Sequence, residues 1–319
     1  MTIVAKQDLI AASHIVYEHM NPTPQIHWPL LSQRCGCDVW VKHENHTPIG
    51  AFKVRGGLNY MTKLRAGQPC ITGVISATRG NHGQSLALAA SKVGLKAVVV
   101  VPKGNNPEKN AAMRAFGAEL IEHGEDFQES YDHAINLAFT EGLHPIRAFH
   151  ADLVAGVGTY GMELFEAVPE LDEVYVAVGQ GSGICGLMSA RKALGAKTRI
   201  VGVVSEAADC YARSFEAGEM ISTDSANTIA DGVACRIPDE AALESILDGV
   251  ARMVRVSDDE IMAAMAHLFT DTHNLAEGAG AAPLAALLKE KDQMTGKKVG
   301  LILSGGNVDR MLMAKVLNG

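Results

Sequence analysis

Two segments of this sequence carry residue types whose spacing can do chemistry. The first, residues 42–57 (KHENHTPIGAFKVRGG), runs from a β-branched stretch through a loop into a helix start, with Lys53 at the junction beside Phe52. Partial desolvation at such a junction lowers an amine's pKa and favours Schiff-base chemistry with a carbonyl compound. The plainer reading is a surface lysine at a helix N-terminus. The second segment, residues 178–186 (VGQGSGICG), follows an apolar stretch and opens a helix. Glycines there let backbone N–H groups close on an anion, and the helix N-terminus adds partial positive charge, so a phosphate is the natural guest. Two phosphate ligands fit. Gly181 to Gly186 matches G-x-G-x-x-G, with Glu206 about 20 residues further on, as an NAD-dependent oxidoreductase would require. A single phosphate monoester, such as that of pyridoxal phosphate, fits equally. The loop does not decide between them, and a tight turn without a ligand is the third reading.

These segments need a scaffold, and the chain alternates strand-like with helix-like stretches throughout. Short β-branched runs at 39–41, 73–76, 97–101, 119–121, 174–178, 200–204 and 299–303 read as buried strands. Helices are expected over 52–65, 81–93, 107–116, 127–141, 184–194 and 258–272. That alternation predicts an α/β architecture with mostly parallel sheets. At roughly 150 residues per domain, 319 residues predict two. Breaks at Pro22-Thr23-Pro24 and Gly142-Leu143-His144-Pro145 place the boundaries near 43 and 145, giving a small unit of 43–145 inserted into a larger one of 1–42 plus 146–319.

Composition removes several classes of function. With 47% hydrophobic and 20% charged residues the chain is globular, and a formal net charge of −8 without a basic block excludes nucleic acid and anionic membrane as partners. Residues 1–8 include Lys6 and Asp8, so they form no apolar signal core, and the uncharged stretch 174–190 is broken by its glycines. Six scattered cysteines with no zinc spacing read as reduced thiols, which predicts a cytoplasmic protein.

Four ordered stretches, taken together, resemble the fold-type II pyridoxal-phosphate enzymes that catalyse β-elimination and β-replacement. Ala51-Phe52-Lys53-Val54-Arg55-Gly56 resembles their S-F-K-x-R-G signature, and Ser76 to Gln84 (SATRGNHGQ) resembles S-x-x-G-N-H-G-Q. Residues 178–186 resemble the tetraglycine phosphate loop, and 303–309 (LSGGNVD) resemble S-G-G-N-x-D. An NAD reading leaves three of the four unexplained. The resemblance implies a two-domain fold like that of the tryptophan synthase β subunit, with open, mostly parallel sheets flanked by helices. It also implies pyridoxal 5′-phosphate as cofactor and a homodimer or higher homo-oligomer. Lys53 would be the Schiff-base lysine and Phe52 would pack beside the cofactor. Asn81 would bond the ring's 3′-oxygen, while Gly179, Gln180, Gly181, Ser182 and Gly183 would hold the phosphate. Ser304 would face the pyridine nitrogen, a neutral partner that suits prompt elimination. Ser76, Thr78, Arg79 and His82 would lie at the substrate, a small amino acid.

Within that family the chain resembles serine/threonine dehydratases, which also share stretches like Thr228 to Val233 and Asp258 to Ile261. The implied reaction removes water from a 3-hydroxy amino acid of the L-threonine or L-serine type, giving a 2-keto acid and ammonia. The SATRGNH stretch and Ala276 to Ala281 look like the dehydratases of hydroxyectoine utilisation, so a 3-hydroxyaspartate or a hydroxyectoine-derived 3-hydroxy diamino acid are further candidates. Several positions depart from the pattern. Ala51 stands for the usual serine, and Gln180 and Ser182 stand for loop glycines. Arg79 occupies a position that holds a small residue, a serine acid/base in serine racemases. A guanidinium is a poor proton donor, which disfavours racemisation, but it could grip a second carboxylate or a polar tail. The cysteine synthase type of β-replacement would need T-S-G-N-T where this chain has Thr78-Arg79-Gly80-Asn81-His82. With Gly319 soon after the serine motif, no regulatory domain and no control by isoleucine are expected. Glu206 and Asp209 lie too close together for the family's cation site, so no metal is expected. His43, His46, His144 and His150 are read as structural.

Overall fold

The computed structural model describes residues 4–319, so the first three residues of the segment 1–8 lie outside it. Ten strands form two sheets: β1 (Gln25–His27), β2 (Asp38–His43), β3 (Gly73–Ala77), β4 (Lys96–Val101), β5 (Ala118–Glu122), β6 (His144–Pro145), β7 (Glu173–Ala177), β8 (Arg199–Ser205), β9 (Arg252–Val256) and β10 (Lys298–Leu303). The larger sheet has the order β1-β2-β10-β7-β8-β9 and the smaller β5-β4-β3-β6. Every pairing is parallel except β1 with β2. β3 is buried along its whole length, and β4 after its first residue, because helices cover both faces of a parallel sheet.

The strand order decides where the chemistry collects. β10 pairs with β2 on one side and β7 on the other. The loops leaving the C-terminal ends of these three strands carry Lys53, Ser304 and the 179–183 glycines, so residues far apart in sequence meet at one edge of one sheet. This is where open α/β sheets place ligands.

All seven expected strands and all six expected helices are present within a few residues of their expected ends. The structure adds β1, β6 and β9, and also helices such as Lys6–Tyr17, Ala151–Ala167 and Gly278–Lys289. The Ala151–Ala167 helix (ADLVAGVGTYGMELFEA) lacks a polar face and holds three glycines, so neither periodicity nor propensity marks it. Its central turns, Leu153 to Gly161, are buried on every side between neighbours. A Cβ at Gly156 would lie 2.2 Å from the Arg55 carbonyl oxygen, so glycine is what lets it touch the Lys53–Gly67 helix. The helices and both faces of the larger sheet enclose two large apolar clusters. Among the described residues no helix is long and apolar enough to cross a membrane, and all six cysteines are free thiols, five of them buried.

Candidate active site

Lys53 opens the Lys53–Gly67 helix and is stitched to the loop after β10. The Phe52 N–H donates to the Ser304 carbonyl (2.9 Å), and Ala51 forms an isolated antiparallel bridge with Gly305. Thr47 Oγ1 clamps Ala51, donating to its carbonyl (2.8 Å) and accepting from its N–H (2.9 Å). Ser85 Oγ donates to the Lys53 carbonyl (2.7 Å). The amine is thereby brought 3.0 Å from Ser182 Oγ and 4.9 Å from the Phe52 ring centre. Lys53 is therefore a partly buried cleft residue, and burial lowers its pKa to about 8.

Two residues on, Arg55 anchors the same helix from behind. Its guanidinium is fully buried and donates to Glu44 (2.7 Å) and Glu163 (2.6 Å), while Lys42 also bonds Glu163. Burial alone would depress Arg55 and Lys42. The two carboxylates oppose that, enough to raise Arg55 above its ordinary value, whereas Lys42 stays lowered. Two cations and two anions thus form a neutral, hydrogen-bonded cluster, the condition under which buried charge is tolerated.

The glycine loop ends at Gly181, whose φ of 92° is left-handed and whose Cβ would meet that of Ala242 at 2.5 Å, so only glycine serves there. The Ser182–Leu194 helix begins with no side-chain cap and no acid in its first turn. Gln180 turns its amide towards Cys235 Sγ (3.2 Å). On the opposite side the Asn81–Lys92 helix also starts uncapped, after Gly80. Asn81 donates to Glu277 Oε1 (2.7 Å) and accepts from Asn307 (2.8 Å). Burial raises Glu277 to about 7 against the lowering pull of Lys109, which itself pairs with Asp231. His82 is held neutral by burial and by the Lys53 charge, with a pKa of about 3.

Ser304 and Thr78 are buried, Thr78 Oγ1 accepts from the Gly80 N–H (3.3 Å), and Ser76 Oγ donates to the Ile146 carbonyl (2.8 Å). Arg79 is exposed. The remaining polar candidates have structural partners: His43 accepts from Trp28, His46 bonds Asn274, His144 bonds Tyr60, and His150 caps the Ala151–Ala167 helix. Glu206 pairs with Lys289, and Asp209 with Arg213 and Arg255. Glu277, Lys109, Asp231 and Asn307 were not singled out from the sequence as site residues. The available signal was Glu277 itself, a lone carboxylate among alanines and glycines in AEGAGA.

Two buried atoms here lack any partner, His82 Nε2 and Glu277 Oε2. Unpaired buried polar atoms are costly, so such a pair marks a place built to receive a polar ligand. A desolvated lysine, two uncapped helix N-termini and these orphan atoms suit a phosphorylated aldehyde. A family model for the pyridoxal-phosphate dependent enzymes matches residues 16–305. The chain belongs to that family. Its cofactor is pyridoxal phosphate. Among relatives, the L-threo-3-hydroxyaspartate ammonia-lyase of Saccharomyces cerevisiae is 33% identical over 100% of this chain and 98% of its own length. The L-threonine ammonia-lyase of Geobacter sulfurreducens is 36% identical over 92% of this chain and 73% of its own. The processed threonine deaminase isoform 2 of Solanum lycopersicum superposes with a TM-score of 0.91 at 30% identity, covering 98% of this chain and 92% of that one. The expected fold class therefore holds, and the NAD reading falls with the family assignment.

A pH dependence follows from Lys53. Its neutral amine is the nucleophile towards an aldehyde, and its pKa is lowered from 10.5 to about 8, so the neutral fraction grows as pH rises and is half at about 8. Capture of pyridoxal phosphate by the cofactor-free protein, followed by visible absorbance, is expected to accelerate about tenfold per unit below that pH and level off above it. A rate still climbing at pH 10 would show an ordinary, solvated lysine.

Proposed function

We propose that the chain is a dehydratase acting on 3-hydroxy amino acids of the L-threonine and L-serine type, releasing a 2-keto acid and ammonia. The observation that carries this reading is the buried Lys53 amine, 3.0 Å from Ser182 Oγ at the start of an uncapped helix. Bound there, pyridoxal phosphate supplies the electron-withdrawing ring that makes the substrate's α-proton acidic. Lys53 Nζ, with its pKa near 8, takes that proton. The N–H groups of residues 179–183 hold the phosphate and Phe52 packs against the ring. Asn81, fixed by Glu277 and Asn307, orients the ring oxygen, and the Ser304 hydroxyl faces the ring nitrogen without charging it. Ser76, Thr78, Arg79 and neutral His82 line the substrate side. The small unit of 43–145, which contains all four strands of the smaller sheet, supplies these residues opposite the larger unit.

Free, mostly buried thiols support a cytoplasmic setting. Exposed Leu30, Phe269, Met311 and Leu317 support a homodimer or higher homo-oligomer. A second reading takes a longer substrate, 3-hydroxyaspartate or a hydroxyectoine-derived diamino acid, and the exposed Arg79 favours the first of these, because a guanidinium matches a carboxylate. The test is to incubate the holoenzyme with L-threonine, L-serine and 3-hydroxyaspartate and to assay keto acid and ammonia together. Equal amounts of both products from at least one substrate are expected. Ammonia from none of them would overturn the dehydratase reading.

A further inference from the structure

Arg79 is exposed on the loop that leads from β3 to Asn81 and His82. It lines a cleft of about 260 Å³ with Lys103, Asn105, Asn106, Glu125 and Asp231. Both carboxylates of that cleft are already taken, Glu125 by Lys103 (2.7 Å) and Asp231 by Lys109. The Arg79 backbone carbonyl accepts from Asn105 (3.2 Å), but among the described residues its guanidinium has no ion pair and no hydrogen bond. Lys103 and Asp231 are thus both paired, and among the charged groups lining the cleft the one left without a partner is this guanidinium.

The cleft adjoins the segments that form the reaction site. Gly80 lies against Lys109, where a Cβ would be 2.9 Å from its Cδ, and the carbonyl oxygen of Gly232, next to Asp231, would lie 2.2 Å from a Cβ on Gly179 in the glycine loop. Arg79 is three residues before His82, whose ring feels the Lys53 charge, with Gly80 and Asn81 between them in the chain. An amino acid held between Lys53 and His82 would therefore extend its side chain towards a planar, five-donor cation. A guanidinium matches a carboxylate bidentately and repels an ammonium tail.

We propose that Arg79 is a specificity-determining residue that receives a second, distal carboxylate of the substrate. This rests on the dehydratase reading and narrows it to 3-hydroxy amino acids with an acidic tail, of the 3-hydroxyaspartate class. Diamino acids are disfavoured by the same charge, and threonine leaves the guanidinium unused.

Selection and reaction are separable by experiment. Holoenzyme is titrated calorimetrically with L-aspartate and with L-2-aminobutyrate, which have no β-hydroxyl to lose. The wild type is expected to bind L-aspartate on the order of tenfold or more tightly, a preference that Arg79→Ala removes and Arg79→Lys restores in part. In turnover, Arg79→Ala should lower the ratio of kcat/KM for L-threo-3-hydroxyaspartate over L-threonine by a similar factor, chiefly through KM, as lost ground-state binding requires. A misfolded variant would lower both substrates together and leave their ratio intact. A wild type that prefers 2-aminobutyrate, or a folded Arg79→Ala that keeps the preference for L-aspartate, would overturn the proposal. Selective, Arg79-dependent binding without ammonia from any 3-hydroxy amino acid would uphold the selection and overturn the reaction.

Discussion

Replacing Lys53 with alanine is expected to reduce turnover by about 10⁴-fold or more, because one amine both captures the cofactor and moves the α-proton. The thermal stability of the chain should change little or rise. A lysine whose pKa is lowered from 10.5 to about 8 by burial opposes folding at any pH below its ordinary value, and the variant removes that cost. Activity and stability therefore part company at this residue. Arginine at the same position keeps the positive charge but supplies no neutral amine, so it is expected to be as inactive as alanine. A Lys53→Ala protein that retains a tenth of wild-type turnover would assign the chemistry to another base, and Lys109 would be examined next.

The second large effect lies behind the site. Glu163→Ala is expected to destabilise the fold by about 3–5 kcal/mol, because a buried ion cluster that loses one partner leaves uncompensated charge. Glu163 accepts from Arg55, Lys42, Tyr17 and the Thr23 N–H, so its removal leaves two buried cations with only Glu44 between them. Burial pushes the Glu163 carboxyl up, but Arg55 and Lys42 outweigh it and hold the group below its ordinary 4.5. Its contribution to stability is thus present above that value and is lost as pH falls through the lower folded value. Urea unfolding at neutral pH and again in acid should show a wild-type loss that the variant lacks. A cost under about 1 kcal/mol at neutral pH would mean the cluster is solvated and behaves as a surface pair.

What the sequence made legible was whatever is local in the chain. Lys53 and the 179–183 loop each announce themselves within a few residues, since a strand, a turn and a helix start must be contiguous. The open order of the larger sheet is not local. Nothing in 298–303 states that β10 lies between β2 and β7, yet that insertion is what brings Ser304 to Lys53. Glu277 was hidden for the same reason: its partner Asn81 is nearly two hundred positions away, and only the fold joins them. The Ala151–Ala167 helix escaped because its central turns are buried on all sides, which leaves no polar face there to set a period. Arg79 is the reverse case. It stands out in SATRGNH as a departure, and the structure adds that both nearby carboxylates are already paired.

The most direct test of the central claim is to reduce the holoenzyme with borohydride, digest it and locate the modified lysine by mass spectrometry. The account predicts a phosphopyridoxyl group on Lys53 alone, with loss of the visible band in step with labelling. Label on Lys42, Lys109 or another lysine, or a reduced protein that carries none, would contradict it.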